Sequence, residues 1–478
     1  MSSVRENGVD LHPGGGCTMG GVTTADAVED RSTTVWSAPY RRTTAAILLL
    51  ITIAAFEQMG VSTAIPRMLT DLGGTELYSW PFTVYLSASV VATVVGGRIA
   101  DRVGPGRVLY VAPAVFLAGL LVAGTAQEMV QLLVGRALQG IGTGGEVTAI
   151  YVLIAGVYPP RLRPAAFGAM ASAWVLPSIV GPAGAGLVTE HLGWRWVFLA
   201  LAPLALLGAL LLIPALRGSA RPERATPARK GFAAAAAAAA AGVPMLSWAA
   251  QHLSWWPLGL VGMALLAVAL RVLLPKGTLR AARGLPRVVF ARGLFSAAFL
   301  SVEAFVPLTL TAVHGYSPAL AGLPLTVSAL GWSAASHYQG KHPEIQRSAL
   351  IRAGFAVVAL GVLGMALVAL PGTPAWVAAP SWLLAGAGMG MAFPSINVLA
   401  LGQAAEDERG AASSALQVSD TVFSATAIAF GGVLLVGLAS AAAPTAAVLV
   451  LGLTMGCVAL GGALLFRGVR DPAPVGTV

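Results

Sequence analysis

Four carboxylates, Glu57, Glu146, Glu303 and Asp420, stand inside stretches otherwise apolar enough to cross a membrane. Ionisable groups at that depth are costly, so they face protein or a watery path and mark routes for protons, ions or substrates. A carboxyl there can take up and release a proton, and that is the chemistry on offer. Glu146 ranks first as the proton-coupling group because it lies mid-segment; Glu57 is second and Glu303 third. Asp420, nearer a segment end, is a candidate for the substrate cavity or for a bond to a neighbouring helix. The clearest base inside a segment is Arg136. Arg136, Gln139, Thr143 and Glu146 recur at helical spacing and share one face, which makes Arg136, Gln139 and Thr143 candidates to line the cavity. Arg136 and Glu146 are separated by about 15 Å along a helix, too far for a direct pair. A structural Arg136, bonded to backbone carbonyls, is the alternative.

The elements that must hold these groups are membrane helices. Of 478 residues, 56% are hydrophobic and 10% charged, with mean hydropathy +0.78, the composition of a polytopic membrane protein. Spans of ~20 apolar residues centre near 55, 88, 116, 143, 176, 205, 241, 264, 301, 327, 360, 386, 425 and 455, about fourteen in all. A twelve-span arrangement with 231–274 re-entrant is the weaker alternative. With both termini inside, the outer loops hold only Arg67 and Arg195, the positive-inside asymmetry. That pattern predicts a multi-pass protein of a bacterial plasma membrane with cytoplasmic termini. The net charge of +9 is then carried by inner loops, and no nucleic-acid partner is expected. Cys17 follows glycines and Cys457 lies in the last apolar segment, so neither reads as a disulfide or a lipid anchor.

"GIGTGGEVTAIYVLI" from Gly140 aligns without gaps with "GAGMGMAFPSINVLA" from Gly386, an offset of 386 − 140 = 246. The same offset pairs Glu57 with Glu303 and Arg163 with Arg409. A six-helix half cannot fill that interval, and two further spans occupy the remainder. The division predicted is a tail at 1–43, a six-helix bundle at 44–216, a basic linker at 217–230, two additional helices and a loop at 231–286, a second bundle at 287–467 and a tail at 468–478. Parallel repeats of this kind hold substrate between the halves near the midplane.

Three motifs lie on these spans in order. "GGRIADRVGPGR" follows the second, with Gly97-x-x-x-Asp101-Arg102-x-Gly104 and Arg107. "GRALQGIGTGGE" opens the fourth with Arg136-x-x-Gln139-Gly140-x-Gly142. The fifth carries Gly181-Pro182-x-Gly184-x-Gly186, followed by "GWRWVF". Small residues let a neighbouring backbone approach, and Pro182 removes a helix hydrogen bond and bends the axis. The positions related to this motif in the second half lack Gly-Pro, so the feature belongs to one half. Together the motifs resemble the major facilitator superfamily, and the fifth-span motif is similar to that of its fourteen-helix drug:proton antiporter branch. "FEQMGVSTAIP" departs from that branch: it places Glu57 where an Asp is usual, keeps Pro66 and loses much of the Thr-rich run.

The resemblance implies an all-α polytopic membrane protein with the major facilitator fold, two six-helix halves with two additional central helices. It implies a cytoplasmic gate at Gly97, Asp101, Arg102, Gly104 and Arg107, with Asp101 set against the N-terminal end of the thirteenth span and the acidic "EDER" at 406–409 nearby. It also implies a proton-coupled secondary active exporter of lipophilic drugs or natural products, a monomer among membrane lipids, serving multidrug efflux and antibiotic resistance. A proton gradient drives such a protein and no cofactor is needed; no G-x-x-x-x-G-K-[ST], H-E-x-x-H or G-x-S-x-G pattern points to ATP or catalysis. A lipid or glycolipid exporter on the same fold is the alternative, and a membrane sensor or scaffold is the alternative of a different class.

Overall fold

A computed structural model describes residues 34–159, 161–217, 231–342, 344–404, 409–440 and 442–467. The expected linker and both tails lie outside them, apart from residues 34–43 and 217. Among the described residues there are fourteen helices long and apolar enough to span a membrane.

In chain order these are α1 (Arg41–Leu72), α2 (Trp80–Val103), α3 (Pro105–Gly124), α4 (Met129–Val157), α5 (Arg163–Ser172 continued by Val175–His191), α6 (Trp196–Leu199 continued by Ala202–Arg217) and α7 (Phe232–Gln251). The rest are α8 (Trp256–Leu273), α9 (Leu285–Glu303 continued by Val306–His314), α10 (Pro318–Lys341), α11 (Arg347–Val368), α12 (Ala378–Gln403), α13 (Arg409–Leu438) and α14 (Thr445–Leu465). Local chemistry sets several ends. Ser317 caps α10 by accepting from the Leu320 amide, and Pro318 follows at the first helical position, where a missing N–H costs nothing. Gly104, at φ 89°, makes the sharp turn from α2 into α3, a conformation that only glycine adopts without strain.

The halves pack alike. In the first, α1 lies on α5 and α6, α4 on α2 and α3, and α3 on α6; in the second, α9 lies on α13 and α14, α12 on α10 and α11, and α11 on α14. Adding eight to each helix number converts one set into the other. The repeated glycines explain why the sequence repeats. A Cβ on Gly142 would meet Phe116 of α3 at 2.5 Å, and one on Gly388 would meet the Gly354 carbonyl of α11 at 2.6 Å. Each glycine of the pair seats its helix on the equivalent neighbour.

Between the halves the pairing is also reciprocal: α5 meets α10, and α2 meets α13. The additional helix α7 packs on both α2 and α13, while α8 packs along α7. Large apolar side chains such as Val111, Leu187, Leu360 and Trp256 are exposed, as a surface turned to lipid requires.

Candidate functional site

The α4 face is the centre of the site. Gly119 of α3 lies against the Gln139 backbone, and Gly135 of α4 lies against Ala123. These close approaches bring α3 and α4 together around Arg136 and Gln139. Arg136 is 2% exposed, and Glu57 and Gln139 are 0% exposed. The guanidinium donates through Nη1 to the Glu57 carboxylate and to Gln139 Oε1 at 2.7 Å, and through Nε to the Pro81 carbonyl at 3.1 Å. Its carbon also lies 4.4 Å from the centre of the Tyr85 ring, a cation–π contact. Arg136 therefore bonds a backbone carbonyl and pairs an acid at once.

Glu146, two turns or more along α4, is 3% exposed. It has no ion pair or hydrogen bond with another described residue, although Tyr85 stands within electrostatic range of it. Thr143 lies between the two on the same helix face, beside the Tyr85 side chain. Glu303 closes the first piece of α9, just before the break that precedes Pro307, and its Oε2 is buried without a partner. Thus Glu57 and Glu303, related by the repeat, differ in environment: one is neutralised and the other is not.

Asp420 does not join Arg136 and Gln139. It pairs with Arg292 of α9 at 3.1 Å, within the second half. Arg292 is the candidate site residue that the sequence did not single out. It lies seven residues into α9 and is 3% exposed, whereas its nearness to the helix start placed it with the inner-loop bases. The signal available was a base in "VVFARGLF", an apolar run with no acid beside it.

The fifth-span motif sits at the seam between halves. A Cβ on Gly186 would stand 2.6 Å from the Ala319 Cα, and one on Gly322 of α10 would stand 2.6 Å from the Pro182 carbonyl oxygen. Gly181 faces Met59 and Phe56 of α1, while Gly184 meets nothing nearer than Val180 of its own helix. At the same end of the bundle, Tyr78 donates to the Ala304 carbonyl at 2.7 Å and packs on Phe305. Ser79 abuts Gly432 of α13. These contacts hold the two halves together at the end bearing Tyr78.

The expected gate lies at the opposite end. Gly97 packs α2 on Thr148 of α4, Gly104 makes the turn already described, and Arg102 and Arg107 are exposed. The Asp101 side chain lies outside the described residues, as do residues 405–408 and the side chains of 409 and 410.

Fourteen helices, twelve of them in two repeated six-helix halves around buried charges and joined by a small-residue seam, define a polytopic membrane transporter. The family profile described as Major Facilitator Superfamily matches residues 47–428, and the chain belongs to that family. An uncharacterized MFS-type transporter of Mycobacterium tuberculosis (strain ATCC 25618 / H37Rv) is 28% identical over 401 residues, covering 81% of this chain and 57% of its own length. The chain thus spans little more than half of that relative. The multidrug transporter protein MdtP of Bacillus subtilis (strain 168) is 25% identical over 78% of this chain and 71% of its own. Among solved structures, the POT family transporter PepTSo superposes with a TM-score of 0.68 at 13% identity, covering 89% of this chain and 97% of that one, a likeness of fold.

Proposed function

We propose that this protein is a proton-coupled secondary active exporter of lipophilic drugs or natural products, working by alternating access. The observation that carries the reading is the charge pairing of the interior. Glu57 is tied to Arg136 and Asp420 to Arg292, which leaves Glu146, on the motif face of α4, as the central acid free to exchange a proton. Glu303 is the second such acid. The Gly-Pro face of α5 against α10 supports the same reading, because it gives the seam a smooth contact along which the halves can move. The name of MdtP as a multidrug transporter agrees with an exporter's substrate class.

With the basic loops in the cytoplasm of a bacterium and the termini there too, the Tyr78 end faces outward, and the structure is the state closed on that side. A lipophilic molecule enters from the cytoplasm or inner leaflet while Glu146 is ionised. Rearrangement exposes both to the outside, where protonation favours release. Each proton carried down a membrane potential supplies ~2.3 kcal/mol per 100 mV, roughly fiftyfold in accumulation of a neutral substrate exchanged one for one. No cofactor or catalytic step enters this cycle, and the unit of function is a monomer surrounded by lipid.

The test is purified protein in liposomes under an imposed pH gradient, with proton movement recorded on adding lipophilic cations and neutral drugs. Substrate-triggered proton flux that disappears in Glu146→Gln, with substrate binding retained, is the expected result. Substrate movement without proton flux would refute coupling and make a lipid exporter the better reading. No transport of drugs or lipids would leave a scaffold.

A further inference from the structure

Beyond the α4 cluster, a second group of polar side chains meets at the other end of the second half. Gly293 lets α9 approach Phe423 of α13 at what would be 2.7 Å from an added Cβ, and Ser419 of α13 donates to the Val289 carbonyl at 2.8 Å. That close contact sets Arg292 beside Asp420. Arg292 donates through Nη2 to Asp420 Oδ2 at 3.1 Å and through Nη1 to Asn397 Oδ1 of α12 at 3.3 Å. Its guanidinium carbon stacks 3.2 Å from the centre of the Phe393 ring. Amide and ring fix the plane of the fork.

The fork is only half engaged. Nε and Nη2 share one edge of a guanidinium, and a carboxylate can take both in parallel. Here Arg292 Nε and Asp420 Oδ1 are each buried without a hydrogen-bond partner. A buried donor and a buried acceptor left unmade are unfavourable, and they lie on adjoining edges of one ion pair. Tyr151 of α4, from the other half, stands within electrostatic range of Arg292. Asp420 retains 15% side-chain exposure, although Oδ1 itself is enclosed in this state.

We propose that this half-open fork is the polar subsite for the transported molecule, and that it takes a neutral group able both to donate and to accept, a carboxamide or hydroxyl carried on a lipophilic body. The inference rests on the exporter reading above and narrows its substrate class. The pair has no net charge. A carboxylate on the ligand would gain Arg292 but face Asp420, and a permanent cation would gain Asp420 but face Arg292. A carboxamide places its carbonyl on Nε and its N–H on Oδ1, satisfying both with no charge buried.

The experiment is equilibrium binding to the full-length protein in lipid nanodiscs, with three probes sharing one naphthyl body: a primary carboxamide, its N,N-dimethylamide and a trimethylammonium. The carboxamide is expected to bind about tenfold or more tightly than either other probe, the size of one lost hydrogen bond to a charged group. Arg292→Lys keeps the charge but removes Nε, and is expected to level the ranking. Equal binding of the three probes, preference for the cation, no binding by any of them, or a ranking unchanged in Arg292→Lys would each overturn the subsite. The wild-type ranking stands without the variant, should that fail to fold. Lost ranking with proton-coupled flux intact sinks the subsite alone, whereas intact ranking with no such flux for any probe sinks the exporter reading alone.

Discussion

Replacing Glu57 by Gln should destabilise the fold by roughly 3–5 kcal/mol, because it leaves the Arg136 guanidinium buried without its counter-ion. Both side chains are essentially inaccessible, so water cannot take over the lost charge. Gln139, the Pro81 carbonyl and the Tyr85 ring stay in place, which argues for the lower end of the range. Unfolding entropy of about 2.1 cal/mol/K per residue over 478 residues is roughly 1 kcal/mol/K, so Tm falls on the order of 3 °C. Thermal unfolding of the detergent-purified protein, followed by its tryptophan fluorescence, reads this directly. The loss should be the same at about 0.05 and about 0.5 M salt, since screening does not reach a pair so enclosed. Glu57→Leu combined with Arg136→Met removes both charges and should recover most of the loss. A single variant as stable as wild type, or a double variant worse than the single one, would refute the pairing as the reason both residues are there.

Gly322→Ala places a methyl against the Pro182 carbonyl, a backbone atom that cannot yield; overpacking of about 1–3 kcal/mol should cut substrate flux roughly tenfold, while Gly184→Ala leaves flux unchanged. Tyr78→Phe removes the hydrogen bond to Ala304, worth about 0.5–1.5 kcal/mol, and should raise thiol labelling of a Ser79→Cys reporter about two- to tenfold in a Cys17→Ser, Cys457→Ala background. In the α10–α11 loop, the Glu344 backbone N–H and the His342 imidazole hold the Glu344 carboxyl below its ordinary range. A depressed acid stabilises above its unfolded pKa and loses that contribution as pH falls through the folded value. Because this pair is exposed and screened, Glu344→Gln should leave the melting curve unaltered from acid to neutral pH, and a clear loss at neutral pH alone would contradict that.

The helices were legible because lipid imposes a length: every span needs its own apolar run, and the fourteen runs read from the sequence correspond to the fourteen helices. The repeat was legible because seating one helix on another demands a glycine at a fixed place, and Gly142 and Gly388 record that demand twice. Charge pairing was not legible. Glu57 and Arg136 stand on different helices, and no periodicity within α1 or α4 says which of four acids meets the base. Arg292 was hidden by a general habit of long cationic side chains, which near a helix end usually reach out to the interface; here Asp420, Asn397 and Phe393 hold it inward.

The absence of Gly-Pro from the second half has a structural reason. By the repeat, α13 corresponds to α5, and the seams α2–α13 and α5–α10 would be equivalent in a symmetric pair of halves. The helix α7 breaks that symmetry by lying along the first seam. It is tied to both ends of α2, where Arg98 stacks on Phe232 at 5.7 Å and Trp80 meets Trp248 and Gln251. Val243 of α7 joins Ala425 and Ala429 of α13 in a small apolar cluster. A third helix so bonded to both partners braces that seam, and a smooth face on α13 would have nothing to slide against. At the α5–α10 seam a helix that touches both partners is α1, which belongs to the first half itself, and Gly186, Pro182 and Gly322 bring the two backbones into contact. The proposed movement between the halves should therefore concentrate at the α5–α10 seam, with the α2–α13 seam, held by α7, as its hinge.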